Sequence, residues 1–287
     1  MDVITGEKLQ YISELVICTD NIRKFHKNIL NYSKNIITLN GNNKIINEIS
    51  DQEVNEIDKY NIIFVYTHLA DSFLEKYLQK SSHKFVLITH NSDDEINVKF
   101  LKYLNHPNII KWYGQNANIM HPKLKILPIG IANSQWRHGN LDIFSNFVKN
   151  KKSKNKLVYL NFKIGTNKSV RKPIYKLLSQ KSFVTVNSNL SYQEYLEELA
   201  GHKFCIVPPG NGIDCHRTWE CLYLGVIPIL YNCICNQLFY NLNLPIVLVD
   251  DWNFDEKFLE SQYKLINVRE YNQTLLDMRY WINLINP

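Results

Sequence analysis

Glycine is scarce, at 10 of 287 residues, and none sits in the G-x-G-x-x-G spacing that follows a strand in dinucleotide-binding enzymes, which argues against a hydride-transferring Rossmann enzyme. No Gly-Lys-Ser/Thr ending is present to close a Walker loop. The six cysteines, Cys18, Cys205, Cys215, Cys221, Cys233 and Cys235, form no C-x-x-C pair, so a zinc site is not expected and reduced, mostly buried thiols are. The two adjacent acidic pairs, Asp93-Asp94 and Asp250-Asp251, lack the intervening residue of a metal-holding D-x-D motif, and no required metal or cofactor is predicted. No run of about 18 apolar residues occurs, and the first twenty residues carry acids and no long apolar core. A soluble, cytoplasmic protein without a membrane span is the expectation.

What is present describes a folded chain. Hydrophobic residues make up 45%, aromatics 12% and charged residues 21%, which excludes a disordered or fibrous protein, and 287 residues suit two ordinary domains. The net charge of +6 comes from 33 basic and 27 acidic residues spread along the chain, too balanced for a nucleic-acid binder. The densest basic run, KNKKSKNK at Lys149 to Lys156, lacks interleaved aromatics and reads as a solvated linker.

On both sides of that run, short β-branched and aromatic stretches alternate with amphipathic ones. ELVICT, NIITLN, NIIFVYTH, KFVLITHNSD and NIIKWYGQ read as strands in the first half, and KLVYLNFKIG, FVTVNS, KFCIVP, VIPILY and LPIVLVDDW in the second. Strands apolar on both faces belong to parallel sheets covered by helices. The expected architecture is α/β, two Rossmann-like domains facing a cleft, over residues 1–148 and 149–287. Ser191 with Glu194 three positions later marks a helix start by a capping box.

The stretch KFCIVPPGNGIDCHRTWECLYLGVIPIL, Lys203 to Leu230, concentrates the chemistry. Pro208 and Pro209 end a buried strand. Gly210, Asn211 and Gly212 permit positive backbone angles, Asp214 suits an N-cap, and the helix stops at Gly225. His216 and Arg217 then lie in the first helical turn, with Glu220 on the same face. Cations there oppose the helix dipole unless an anion intervenes. A diphosphate would accept the free backbone N–H groups and a forked Arg217 bond, and Glu220 would meet ribose hydroxyls. The alternative is a plain ion pair of Arg217 with Asp214 or Glu220.

This segment, with LPIGIANSQWRHGN, NFKIGTNKSVRKPIY and LPIVLVDDW, resembles the exostosin-like glycosyltransferases of the two-Rossmann-domain, GT-B type. The resemblance spans Leu127 to Trp252. It implies a nucleotide-sugar donor, UDP- or GDP-linked, held mainly by the second domain, a glycan or glycoprotein acceptor held by the first, and inverting transfer without an obligatory metal.

Further candidates follow from strand ends. Asn161, Lys163, Thr166 and Arg171 surround a Gly turn and helix start, with Arg171 as a second phosphate contact, and Pro209, Gly210, Asn211, Gly212, Asp214 and His216 complete the donor side with Asp250. His90 and Asp93 are the candidate bases for an acceptor hydroxyl. Asn133, Trp136 and Arg137 are the candidate acceptor contacts. The rival readings are a sulfotransferase-like enzyme and a non-catalytic nucleotide- or carbohydrate-binding module.

Overall fold

A computed structural model describes residues 2–150 and 152–286; Lys151 of the basic run lies outside them. Two all-parallel sheets form, as the doubly apolar strands require. The first is built from β1 (Leu15–Thr19), β2 (Ile36–Leu39), β3 (Ile62–Tyr66), β4 (Phe85–His90), β5 (Ile109–Gly114) and β6 (Leu124–Ile126), in the order β2-β1-β3-β4-β5-β6. The second contains β7 (Lys156–Leu160), β8 (Val184–Val186), β9 (His202–Ile206), β10 (Ile227–Tyr231) and β11 (Val247–Val249), in the order β11-β10-β9-β7-β8. Counted within each domain, both sheets share the order 2-1-3-4-5, the first adding a sixth strand. Each therefore has a topological switch point, between β1 and β3 and between β7 and β9, where the connections leave in opposite directions and open a crevice at the carboxyl ends.

One apolar core runs from the first domain through the contact to the second, joining Ile17, Phe64, Trp112 and Leu127 to Tyr195, Trp219 and Phe239. A separate core covers the other face of the second sheet, around Leu160, Ile174, Phe204 and Ile229. The C-terminal helix Met278–Ile285 returns to the first domain: Met278 N–H donates to Asp2 O at 2.8 Å and Tyr113 Oη donates to Leu284 O at 2.9 Å. Tyr223 Oη accepts from Ile4 N–H at 2.9 Å and donates to Leu276 O at 2.7 Å, tying both chain ends to the helix His216–Tyr223.

The basic run departs from the linker expectation. Lys154 Nζ donates to Ala200 O at 2.6 Å and Leu224 O at 2.8 Å, placing one cation at the carboxyl ends of two helices, where the dipole favours it. Lys156 pairs with Glu198 at 2.8 Å. No helix among the described residues is long and apolar enough to cross a membrane.

Candidate functional site

The segment 208–217 folds as a clamp on the first domain. Asp214 carboxylate accepts Ile129 N–H at 2.7 Å and Trp219 Nε1–H at 3.0 Å, and Asp214 N–H donates to Asn116 Oδ1 at 2.8 Å. Asp214 therefore joins the domains and does not cap the helix; Cys215 is the N-cap residue. Burial raises the Asp214 carboxyl to about 7, against the pull of its N–H donors. Gly212 owes its identity to close approach, since a Cβ there would lie 2.7 Å from Asn116 Nδ2 and 3.0 Å from Asp93 O. Neither Gly210 nor Gly212 has a positive φ, contrary to the expectation; Gly225 does, at 66°, just past the helix end.

Arg171 is 6% exposed and spends its guanidinium on three backbone carbonyls: Pro209 O at 2.9 Å, Lys163 O at 3.1 Å and Pro208 O at 3.3 Å. It is not the second phosphate contact expected, because its donors are already spent on those carbonyls of the loops after β7 and β9. Asn167 Nδ2 adds a bond to Gly210 O at 2.9 Å. Glu220 is likewise unavailable to a ribose: it is buried and accepts from Tyr195 Oη at 2.7 Å. Burial raises its carboxyl, against the Tyr195 bond and Arg217. The Tyr195 hydroxyl also accepts Arg217 Nε–H at 3.1 Å, so in place of the alternative, a direct Arg217–Glu220 ion pair, the two are bridged by a phenol. The guanidinium lies over the Tyr195 ring, 5.4 Å from its centroid, and its two terminal nitrogens make no hydrogen bond within the described residues.

A cavity of about 1100 Å³ opens between the domains. All six strands of the first sheet contribute to it from the segments that follow their carboxyl ends: Phe25 after β1, Lys44 after β2, His68 after β3, Asp93 after β4, Gln115 after β5 and Trp136 after β6. The second domain contributes Asn211 and His216. The Asn211 side chain lies against the Asp93 carboxyl; burial raises that carboxyl, an effect that the Asn211 amide opposes and the neighbouring Asp94 charge reinforces. His216 Nδ1 donates to Gly130 O at 2.8 Å, and Gly130 itself takes φ 69° to present that carbonyl. That bond leaves Nε2 as the lone-pair nitrogen. Burial lowers His216 to about 4, despite the Gly130 bond, so the ring is neutral near pH 7 and does not supply the positive charge expected of it.

His90 lines the cavity yet is 1% exposed, with Nε2 donating to Pro128 O at 3.0 Å and Nδ1 3.1 Å from Asn91 Oδ1. Both nitrogens are engaged, which removes it as the expected base and leaves Asp93. Asn133 also lines the cavity, but its carboxamide is used internally: Oδ1 accepts Glu7 N–H at 3.0 Å and Nδ2 donates to Asn91 Oδ1 at 3.0 Å. Trp136 stands in the cavity wall, stacked on His138 with ring centroids 6.5 Å apart. Arg137 is exposed and outside the cavity lining.

On the second domain, Asn161 Nδ2 donates to Tyr159 Oη at 2.9 Å, while Lys163 and Thr166 are exposed at the turn after β7. Asp250 is exposed and accepts from Asn232 Nδ2 at 2.7 Å. None of these four lines the cavity. Sequence reasoning passed over Phe25, Lys44, His68 and Gln115. The signal was present for two of them: NIIFVYTH and NIIKWYGQ end in His68 and Gln115, one or two residues past strands that flank β4. Among the described residues no three His, Cys, Asp or Glu side chains are placed to hold one metal ion.

No family model matches the chain, and no curated protein does. Among solved structures it is similar to UDP-GlcNAc 2-epimerase from Methanocaldococcus jannaschii, at a TM-score of 0.43 and 11% identity, over 98% of this chain and 96% of that one. A structure of the epimerase from that organism in complex with UDP-GlcNAc and UDP gives 0.37 and 11%, over 95% and 99%. At that identity and score the likeness says nothing of the chemistry.

Proposed function

We propose that this chain is a glycosyltransferase of exostosin-like, GT-B type, which moves a sugar from a nucleoside diphosphate sugar to a hydroxyl of a glycan in the cavity between its domains. The observation that carries the reading is the cavity itself: its size stands at the top of the usual range for small-ligand sites, roughly 300–1,000 Å³, and it faces a carboxylate across to a side chain of the opposite domain. Two substrates in one cleft need that room.

Asp93 takes the proton from the acceptor hydroxyl. Its raised pKa brings it nearer the working pH than an open carboxylate, which favours proton transfer. The deprotonated oxygen attacks the anomeric carbon as the bond to the diphosphate breaks, and the pair of electrons leaves with the nucleotide. Arg217, next in sequence to the cavity-lining His216 and with its terminal nitrogens unbonded, answers the charge that grows on the leaving group. Neutral His216 offers Nε2 to a ligand hydroxyl.

The test is release of free nucleotide from a panel of UDP- and GDP-linked sugars, with and without glycan acceptors. Asp93→Asn is expected to lower kcat by about 10²–10⁴-fold while donor-induced thermal stabilisation persists. Full turnover in that variant, or no stabilisation of the wild type by any sugar nucleotide, overturns the proposal.

A further inference from the structure

A buried donor or acceptor with no partner has given up its hydration for nothing, so such atoms are few, and each calls for an explanation. Among the described residues Gln115 Oε1 and His68 Nε2 are two of them, and both residues line the same cavity. Gln115 is 1% exposed, its backbone held by N–H donation to Thr89 O at 2.9 Å. His68 Nδ1 lies 3.1 Å from Ser92 Oγ, which already accepts the Asp94 N–H at 3.3 Å. A hydroxyl oxygen has two lone pairs, so Ser92 can donate to Nδ1 or accept from it, and in either tautomer Nε2 is the ring nitrogen left without a partner. The residues lining the cavity thus include one unpaired acceptor, Gln115 Oε1, and one unpaired ring nitrogen, His68 Nε2.

The two side chains follow β5 and β3, the strands on either side of β4, whose own extension carries Asp93. Two strand spacings separate them along the sheet edge, roughly 10 Å, with the proton-accepting carboxylate between. One sugar ring seated across the edge bridges that span: one hydroxyl donates to Gln115 Oε1, a second, able to donate or accept, meets His68 Nε2, and a third lies at Asp93. Phe25 and Trp136, with ring centroids 6.2 Å apart and 64% and 43% exposed, stand in the same wall and give the apolar face of a pyranose a surface to stack on.

We propose that His68 and Gln115 form a subsite that reads two hydroxyls of the acceptor sugar, a hexopyranoside held with its reacting hydroxyl at Asp93. The direction of reaction rests on the glycosyl-transfer reading above; the binding of the sugar does not. Ligand-observed NMR of the full chain with methyl glucoside, galactoside and mannoside tests it without any donor. At least one glycoside is expected to bind, and Gln115→Leu to weaken it about tenfold, the effect of one hydrogen bond lost to an apolar group. The monodeoxy glycoside lacking the hydroxyl that Gln115 reads binds the wild type equally weakly and loses nothing further in the variant. Gln115→Leu also melts no lower than the wild type, because leucine removes an unpaired group and breaks no bond; a glutamine kept for structure would cost stability instead.

The proposal is overturned if the wild type binds none of the three glycosides at millimolar concentration, or if Gln115→Leu and His68→Phe keep wild-type affinity. Glycoside binding with the expected pattern, but no nucleotide released from any sugar nucleotide, overturns the transferase reading and leaves the subsite standing.

Discussion

The two sheets have the same strand order, and so the same kind of crevice at the switch point, but the crevices are finished differently. At the one between β1 and β3 the flanking loops stand apart, and a cavity of about 1100 Å³ carries unpaired Gln115 Oε1 and His68 Nε2 in its walls. At the one between β7 and β9 the guanidinium of Arg171 fills the gap, bonded to carbonyls of the loops after both strands. A switch point creates an opportunity for a ligand, and side chains decide whether the protein or the ligand uses it. Unpaired polar atoms in the walls mark the open case, and a guanidinium spent on loop carbonyls marks the closed one. The centre of the candidate site accordingly lies on the first domain, whereas the residue types alone put most candidates on the second.

The sharpest way to break that contrast is to remove the plug. Arg171→Met keeps the length and apolar contacts of the side chain and leaves three carbonyls without their donors. A loss of about 3–5 kcal/mol is expected, since each buried carbonyl left unpaired costs about 1–3 kcal/mol and less where water reaches it, read as a lower urea midpoint with no ligand present. An unliganded stability equal to the wild type would mean that the loops need no guanidinium and that Arg171 faces a ligand after all. Arg171→Lys should rescue little, since one ammonium cannot reach three carbonyls in the plane of a fork.

How much of this could be read from the chain beforehand follows the range of the interactions. Strands apolar on both faces, the capping box of Ser191 and Glu194, and the stop at Gly225 are local, and each appears in the structure where the pattern puts it. The cleft followed from the parallel sheets. Arg171 and Glu220 were misassigned because their partners are distant: Pro208 O and Pro209 O lie 37 and 38 residues away, and Tyr195 lies 25 residues from Glu220. A charged residue beside a glycine-rich loop has the same sequence appearance whether it waits for a phosphate or holds the loop. Gln115 and His68 carried the opposite ambiguity: neither residue type stands out, and only the lack of a partner in the folded state gives them meaning.

The seam between the open and the closed crevice is Asp214, and pH probes it. Its carboxyl stands at about 7 in the folded protein against 3.8 for an ordinary aspartate, through burial. A folded value above the unfolded one means that the folded state binds the proton more tightly. The stabilisation from this group is therefore complete below pH 4 and is lost as pH rises through 7; the gap is worth roughly 4 kcal/mol at most. Asp214→Asn removes that slope, so the stability of wild type minus variant should fall between pH 4 and 8. A difference that stays flat, measured by urea unfolding at each pH, would show that the N–H donors of Ile129 and Trp219 hold the carboxylate as well as water does.

The smallest expected effects come from two glycines, one at the seam and one at the rim of the closed crevice. Gly212→Ala drives a Cβ to 2.7 Å from Asn116 Nδ2 and 3.0 Å from Asp93 O, and overpacking of that kind costs about 1–3 kcal/mol. Because Asn116 also receives the Asp214 N–H, the displacement spreads to the contact that holds the domains together. Gly165 sits in the 3₁₀ turn Ile164–Asn167 after β7, with no positive φ and no atom within 4 Å of the place a Cβ would take. Gly165→Ala only restricts the unfolded chain and should stabilise by about 0.4–1 kcal/mol. If Gly165→Ala instead lowers the melting temperature as Gly212→Ala does, the turn after β7 is as tightly packed as the seam, and the division into one open and one closed crevice loses its boundary.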